Sequence, residues 1–289
     1  MTHSSTVTLD GEASEQDNGA VKAVVLAAGR GSRMQVSSPG APPLDAAQVA
    51  AADSGSKMLV PFHGHPFLSH VLSALADGGI DQVCLVVHPE PDPVRLHYER
   101  LPTRRIRIGC AVQERPTGSA HAVLAAEAFA GSDPFLVVNA DNLYPAAVVD
   151  GVRRLEGDGL AGFRAGALTR EGGIPKERIE AFALLEARPD GCLDAIVEKP
   201  GPDQLARFGP DPLVSMTCWR FTPAIFDACR RVEPSSRGEH ELPDAVLLRV
   251  RDEGACVRVF PVEAGVLDLT RRADIPRVEE LLRGREVRL

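Results

Sequence analysis

Apolar residues run through this chain in two rhythms. Short unbroken runs at Val21–Ala28, Val83–Val87 and Phe135–Val138 predict strands buried on both faces. Arg105–Val112 alternates in part and predicts another strand. Between these runs the spacing turns helical. Leu68, Val71, Leu72 and Leu75 recur at helical intervals within Pro66–Asp77, and Gly78-Gly79 suits a helix stop. Ser119–Phe129 is Ala-rich, with Ser119 placed to cap it. Strands alternating with helices predict an α/β domain, its sheet largely parallel with helices on both faces.

Beyond about residue 157 the pattern changes. Ile179–Glu186 and Leu193–Glu198 read as strands joined by the turn Pro189-Asp190-Gly191. Leu213–Phe221 and Cys256–Pro261 read as strands, and Pro223–Arg231 and Leu242–Asp252 as helices. A last helix carries Ile275, Val278, Leu281 and Leu282 on its core face. The second half is therefore an α+β elaboration, a smaller lobe on the α/β base. Two segments fall outside the pattern. Residues 1–20 are polar, lack an apolar stretch suited to a signal peptide, and read as a disordered tail. Residues 35–56, small and polar with three prolines, read as an insertion or lid loop with a short helix at Leu44–Ala52. Residues 21–289 then form one domain.

Composition narrows the classes. With 289 residues and 44% hydrophobic content the chain can bury a sizeable core. A net charge of -8 argues against nucleic acid and anionic membranes as partners, so any phosphate site must be a local basic feature. No run reaches the ~18 apolar residues of a membrane span. The six cysteines, Cys84, Cys110, Cys192, Cys218, Cys229 and Cys256, include no C-x-x-C pair and show neither a zinc site nor a disulfide framework. Reduced thiols in a cytoplasmic protein are the expectation. Only four of the 32 basic residues are lysines: Lys22, Lys57, Lys176 and Lys199. In so arginine-rich a chain each lysine stands out, because its compact charge is not interchangeable with a guanidinium at a phosphate.

Ligands in open α/β sheets bind beyond the carboxyl ends of strands. Three unusual sequences lie at such ends. In VVLAAGRGSRM, residues 24–34, Gly29 and Gly31 permit a tight turn and close approach of main-chain N–H groups to phosphate, with Arg30 and Arg33 adding charge. The same residues also suit an ordinary structural turn. In NADN, Asn139–Asn142, Asp141 suits a divalent cation or the cap of a following helix. In VEKP, Val197–Pro200, Glu198 and Lys199 point to opposite faces and read as a ligand pair or a solvated charge pair.

Together with four further segments these resemble the sugar-1-phosphate nucleotidyltransferase family, the nucleotide-sugar pyrophosphorylases. LAAGRGSRM resembles its nucleotide signature, KMLVPFHGHPFLSHVL its K-x-L-x-P block, and QERPTGSAHAV its Q-x-x-P-x-G-T-A block. VVNADN resembles the metal-binding strand end and VEKP the sugar-site motif. GEHELPDAV and GVLDLTRRADI are similar to the E-[IL]-[TP]-D and D-x-G-T-x-x-D segments. The likeness spans roughly residues 21–282, with the seven motifs in order.

The resemblance implies a Rossmann-like three-layer fold with a mixed, mostly parallel sheet and a smaller sugar-binding lobe. It implies Mg²⁺-dependent transfer of a nucleotidyl group from an NTP to a sugar-1-phosphate or cyclitol phosphate, releasing pyrophosphate. UTP or dTTP is favoured over ATP or GTP. Leu26, Ala27, Ala28, Gly29, Arg30 and Gly31 are expected to cradle the triphosphate, and Gln113, Gly118 and Ser119 to meet the base. Arg33, Lys57 and Lys199 are the expected catalytic cations, for the leaving pyrophosphate, the α-phosphate and the sugar phosphate. Asn139, Glu198, Lys199 and Asp244 are expected on the sugar side, and Asp141 and Asp268 at Mg²⁺. Two departures stand out: Ser119 replaces the usual Thr, and Leu269 replaces a glycine beside Asp268. The family's frequent homo-oligomerisation leaves a homo-oligomer open, and no acetyltransferase domain is expected after residue 289. A glycosyltransferase of similar architecture and a non-catalytic nucleotide-sugar sensor are the alternatives. Among remaining flags, His63-Gly64-His65 reads as a surface turn, His121 as a neighbour of the base or a helix residue, and Trp219 as core or sugar-pocket lining. Arg104, Arg105 and Arg107 read as a solvated edge.

Overall fold

A computed structural model describes residues 21–29, 31–36, 43–89 and 91–289. The expected N-terminal tail and Arg30 lie outside the described residues. Strands run in the order β1 (Lys22–Leu26), β2 (Pro61–Phe62), β3 (His65–Pro66), β4 (Gln82–Val87), β5 (Arg107–Val112), β6 (Phe135–Asn139) and β7 (Asn142–Leu143). They continue with β8 (Asp158–Arg164), β9 (Ala183–Ala187), β10 (Leu193–Val197), β11 (Leu213–Phe221), β12 (Val257–Val262) and β13 (Leu267–Asp268). The helices are α1 (Ala46–Asp53), α2 (Phe67–Asp77), α3 (Pro93–Tyr98), α4 (Ser119–Ala125), α5 (Glu127–Ala130) and α6 (Ala146–Arg153). The rest are α7 (Ala165–Arg170), α8 (Lys176–Ile179), α9 (Pro202–Phe208), α10 (Ile225–Arg231), α11 (Leu242–Asp252) and α12 (Ile275–Leu282).

Nine strands form one mixed sheet, ordered β10-β9-β11-β6-β1-β4-β5, with β8 beside β11 and β12 beside β8. β6, β1, β4 and β5 are mutually parallel. β11 runs antiparallel to β6, β8 and β9. The expected α/β architecture is thus present, and β1 shows why. Val24 packs into the hydrophobic layer that holds α4, α10 and α11, while Ala23 and Val25 pack into the layer that holds α2, α6 and α12. A strand with a helical layer on each side needs apolar residues at every position, not at alternate ones.

Several sequence expectations shift. Ser119–Phe129 is two short helices, and Gly118 rather than Ser119 takes the N-cap position. The Ser119 hydroxyl instead accepts a hydrogen bond from Leu242 N at 2.8 Å. Ile179 ends helix α8, and the strand expected from it begins at Ala183. Strand β8, Asp-Gly-Leu-Ala-Gly-Phe-Arg, carries two glycines and no alternation, so the sequence hid it. Trp219 is core, stacked on Phe221 with ring centroids 5.6 Å apart. His63-Gly64-His65 is the expected exposed turn.

The thiol expectation is corrected in one place: Cys192 and Cys256 form a disulfide. They lie 64 positions apart in sequence, too far for any spacing rule. What joins them is the pairing of Cys192 with Arg258, which brings the turn before β10 against the start of β12. Cys84, Cys110, Cys218 and Cys229 are free, and burial pushes the Cys218 thiol up to about 12. No helix among the described residues is long and apolar enough to cross a membrane.

Candidate active site

β1 lies between β4 and β6, and the three strands end level: Leu26 is in register with Val86 on one side and Asn139 on the other. The chain leaves β1 for β4 and β5 on one side, then returns to β6 on the other. That reversal puts a crevice at the carboxyl ends of β1 and β6, the place where open α/β sheets take ligands.

A cleft of about 510 Å³ opens there. The end of β1 supplies Leu26, Ala28 and Gly29, and the turn at Lys57–Leu59 supplies Lys57. The loop before α4 supplies Gln113 and Gly118, α4 itself Ser119, and the end of β6 Asn139 and Asp141. Four lining residues escaped sequence reasoning: Met58, Pro116, Ala122 and Glu239. The first three lie inside the quoted segments KMLVPFHGHPFLSHVL and QERPTGSAHAV, without a role assigned to them. Glu239 lies in GEHELPDAV, where only Asp244 drew notice.

The glycine loop is held by the insertion that follows it. A Cβ on Gly31 would lie 2.1 Å from Gly55 O, so only glycine permits the contact. Gln35 Nε2 donates to Asp53 O at 3.1 Å, and Arg272 pairs with Asp53. Buried Gln48 donates to Pro61 O and to Glu279, both at 3.2 Å. Residues 43–56 are thus a docked helix and turn that deliver Lys57 to the cleft, where a free lid was one expectation. Residues 37–42 lie outside the described ones. Ala27 and Gly31 line an adjoining cleft of about 460 Å³, which shares Gly29 and Met58 with the first.

Gly118 has φ of 116°, and a Cβ there would lie 2.3 Å from His240 O. The approach is a backbone weld. His240 N donates to Thr117 O at 2.8 Å and Ala120 N to His240 O at 2.9 Å. Gln113 Nε2 donates to Gly118 O at 2.9 Å. His121 stacks on His240, centroids 4.1 Å apart, and does not line the cleft. The Q-x-x-P-x-G-S block and the segment 239–242 are therefore one wall.

Lys57 Nζ pairs with Asp141, with about a sixth of each side chain exposed. Asp268 sits behind, on the partner strand: β7 pairs with β13, matching Asn142 to Asp268. Leu269 N donates to Asp141 O at 2.9 Å, and the Leu269 side chain is fully buried. The Leu that replaces the expected glycine thus packs in the core and ties the two aspartates together. Asp268 does not line the cleft. Its Oδ1 accepts from Asn142 Nδ2 at 3.1 Å and Thr270 Oγ1 at 2.8 Å, and its Oδ2 from Arg178 at 2.5 Å. Burial, and next the charge of Asp141, push its carboxyl above the usual range.

The remaining expected residues stand apart. Arg33 is exposed and lines neither cleft. Glu198 and Lys199 follow β10, both exposed, with Glu198 3.8 Å from Arg237. Lys199 holds φ of 45°, a conformation that costs energy for a side chain bearing a Cβ. Asp244 is exposed on the first turn of α11.

The sequence profile of the nucleotidyl transferase family matches residues 22–263. This chain belongs to the nucleotidyl transferase family. Among its relatives, a low-salt glycan biosynthesis nucleotidyltransferase of Haloferax volcanii is 33% identical over 180 residues, 61% of this chain and 46% of the relative. A UTP–glucose-1-phosphate uridylyltransferase of the same organism is 29% identical over 204 residues, 71% of this chain and 78% of the relative. A glucose-1-phosphate thymidylyltransferase of Streptomyces antibioticus is 32% identical over 174 residues, 57% and 43%. The matched part of this chain thus spans less than half of the first and third relatives. A UDP-glucose pyrophosphorylase solved with UDP-glucose shares the nucleotidyl transferase fold, with a TM-score of 0.67 at 17% identity over 91% of this chain and 100% of its own.

Proposed function

We propose that residues 21–289 form one catalytic unit that transfers a nucleotidyl group from an NTP to a sugar-1-phosphate or related cyclitol phosphate. The observation that carries this reading is the Lys57–Asp141 pair in a cleft whose floor is the glycine loop at the sheet's switch point. The names of the uridylyl- and thymidylyltransferase relatives favour UTP or dTTP as donor and a sugar-1-phosphate as acceptor.

In this reading a phosphate oxygen of the acceptor attacks the α-phosphorus of the NTP. The bond from that phosphorus to the bridging oxygen breaks, and pyrophosphate leaves with the electron pair. The acceptor phosphate is already ionised, so no general base is needed, and catalysis is positioning plus charge neutralisation. Main-chain N–H groups around Gly29 and Gly31 cradle the triphosphate, which extends into the adjoining cleft. Lys57 turns from Asp141 to the α-phosphate, and Arg33 swings in toward the β- and γ-phosphates. Gln113, Gly118 and Ser119 meet the base. Asn139, Glu198 and Lys199 hold the acceptor, and the strained backbone at Lys199 favours a functional role there. Asp244 supports the acceptor side from α11.

The donor set at the end of β6 fits a hard divalent cation. Magnesium takes one or two carboxylates and completes its shell with water and phosphate oxygens. Asp141, exposed to the cleft, would hold it, with Asp268 on the adjacent strand. When bound, such an ion neutralises charge developing on the phosphates.

The test is pyrophosphate release, with Mg²⁺, across ATP, GTP, CTP, UTP and dTTP against a set of sugar-1-phosphates. UTP or dTTP with one sugar-1-phosphate is expected to turn over, and Asp141→Asn to abolish it in a folded protein. Release of a free nucleoside diphosphate without pyrophosphate, or full activity in the Asp141→Asn variant, overturns the reading.

A further inference from the structure

β4 ends beside the glycine loop, and a histidine follows it there. Ala27 N donates to Val86 O and Gln113 N to Val87 O, both at 2.9 Å. These bonds hold the end of β4 between the loop that follows β1 and the loop that follows β5. His88 is the next residue, and it lines the adjoining cleft of about 460 Å³ with Gly29, Gly31 and Gly55. A local clasp fixes its backbone. His88 N donates to Asp92 Oδ2 at 3.1 Å, and Asp92 Oδ1 accepts from Val94 N at 2.8 Å and Arg95 N at 3.0 Å. Asp92 also borders the cleft, but it is buried and its carboxylate is spent on these three N–H groups.

The ring of His88 is not spent. Other histidines place a ring nitrogen on a carbonyl of the fold: His70 Nε2 lies 3.1 Å from Phe62 O, and His240 Nδ1 2.9 Å from Val232 O. The half-buried His88 ring has no such partner among the described residues. The hydroxyls of Ser32 and Ser56, in the same cleft, are likewise without a partner among the described residues. Unused donors gathered around a glycine loop suit a ligand rich in acceptor oxygens. Hydroxyls and main-chain N–H groups carry no net charge. Among the described residues that line this cleft, His88 alone can carry a positive one. An imidazolium has two N–H donors and no acceptor, the complement of a phosphate.

Building on the reading that the triphosphate extends into this cleft, we propose that His88 binds the β- and γ-phosphates of the NTP and the pyrophosphate they become. It donates from the end of β4, and Ser32 and Ser56 add neutral donors beside it. In the transfer step it makes and breaks no covalent bond. It neutralises the charge that builds on the leaving group, where the interaction counts most. His88 falls between the sequence segments that carry the resemblance, so no motif marks it.

The test is calorimetric binding of inorganic pyrophosphate to the full chain with Mg²⁺, beside UMP and dTMP, which lack the outer phosphates. His88→Ala is expected to weaken pyrophosphate binding about tenfold, the loss of one hydrogen bond to a charged group, and to leave the monophosphates unchanged. His88→Arg restores a cation and is expected to return pyrophosphate affinity to the wild-type level, which a ring that only shaped the loop would not allow. Unchanged pyrophosphate affinity in His88→Ala overturns the proposal. So does an equal loss for pyrophosphate and the monophosphates, the mark of a collapsed loop, and so does a failure of His88→Arg to restore binding. Should His88→Ala fail to fold, His88→Gln serves: its neutral amide is again expected to weaken pyrophosphate binding, and unchanged binding overturns the proposal. Wild type separates the two levels. If it binds no pyrophosphate, and UTP and dTTP no more tightly than UMP and dTMP, the underlying reading that the outer phosphates occupy this cleft falls, whatever His88 does.

Discussion

The parallel half of the sheet and its antiparallel half treat their candidate residues differently. On the parallel side, β1, β4 and β6 end level, and the loops beyond them converge on one cleft. Nearly every expected residue there has a backbone or ion-pair tether: Gly31 to Gly55, Gly118 to His240, Lys57 to Asp141. On the antiparallel side, Glu198, Lys199 and Asp244 sit exposed, and the shortest ion pair among them, Glu198 to Arg237, spans 3.8 Å. Strands of a parallel sheet all deliver their ends to one edge, so a site there is prebuilt by topology. Antiparallel hairpins deliver ends to both edges, so their contribution rests on loops that a substrate can order. The nucleotide side is thus expected to be rigid before binding and the acceptor side to be organised by it.

The largest expected effect breaks the tether on the rigid side. Gly118→Ala places a methyl 2.3 Å from His240 O and 2.5 Å from His240 N, at φ of 116°. Backbone on both sides leaves no flexible group to yield, so a loss of about 3 kcal/mol in stability is expected, together with loss of NTP binding. Denaturant melts and nucleotide titration measure both. Gly209→Ala in the antiparallel half is the control: φ there is 73°, with nothing within 4 Å of the added Cβ. With no clash to add to the backbone strain, it is expected to cost less, about 2 kcal/mol, and to leave NTP binding intact. Equal effects at the two glycines would erase the contrast between halves.

Lys57→Ala comes next. Removing one charge aimed at the reacting phosphate is expected to lower kcat by about 10²–10³, with little change in NTP affinity. Steady-state kinetics with the productive pair would show it. A smaller effect is expected across the sheet. Lys199→Ala is expected to raise KM for the acceptor about tenfold, roughly 1.4 kcal/mol of ground-state binding, with NTP binding unchanged. If kcat falls while KM holds, Lys199 acts on the reacting centre and the acceptor side is less passive than its exposure suggests.

The same contrast governs what the sequence made legible. β1, β4 and β6 are short apolar runs followed by distinctive residues, so they and Asp141 could be read directly. The antiparallel strand Leu213–Phe221 also matches its expected bounds to the residue. The hidden features are those made by distant partners. β8 lacks alternation because both its faces are buried, from Asp158 through Phe163, with glycines passing close to neighbours. The Cys192–Cys256 bond depends on where β12 comes to lie, and Arg178 meets its ion-pair partners only when Asp268 and Asp274 arrive. Ser119 could be read as a helix cap, yet its hydroxyl serves Leu242 N, 123 residues away.

The smallest expected effect probes the seam between the halves. His121, from α4, stacks on His240, which begins the antiparallel side's contribution to the cleft. Its Nδ1 lies 2.5 Å from Thr117 Oγ1. Burial, and then the nearness of His240, lower the His121 pKa below its ordinary 6.5. A base whose folded pKa is depressed takes up a proton more readily when unfolded. The seam's stability is therefore fully present above pH 6.5 and drains away as pH falls below it, through the lowered folded value. His121→Phe keeps a flat ring against His240 and removes the titration. Wild type is expected to lose more stability between pH 7.5 and pH 5.5 than this variant, by urea melts at each pH. If the two lose equally, the seam does not sense protons, and the hydrogen bonds at Thr117, Ser119 and Ala120 hold it without titrating.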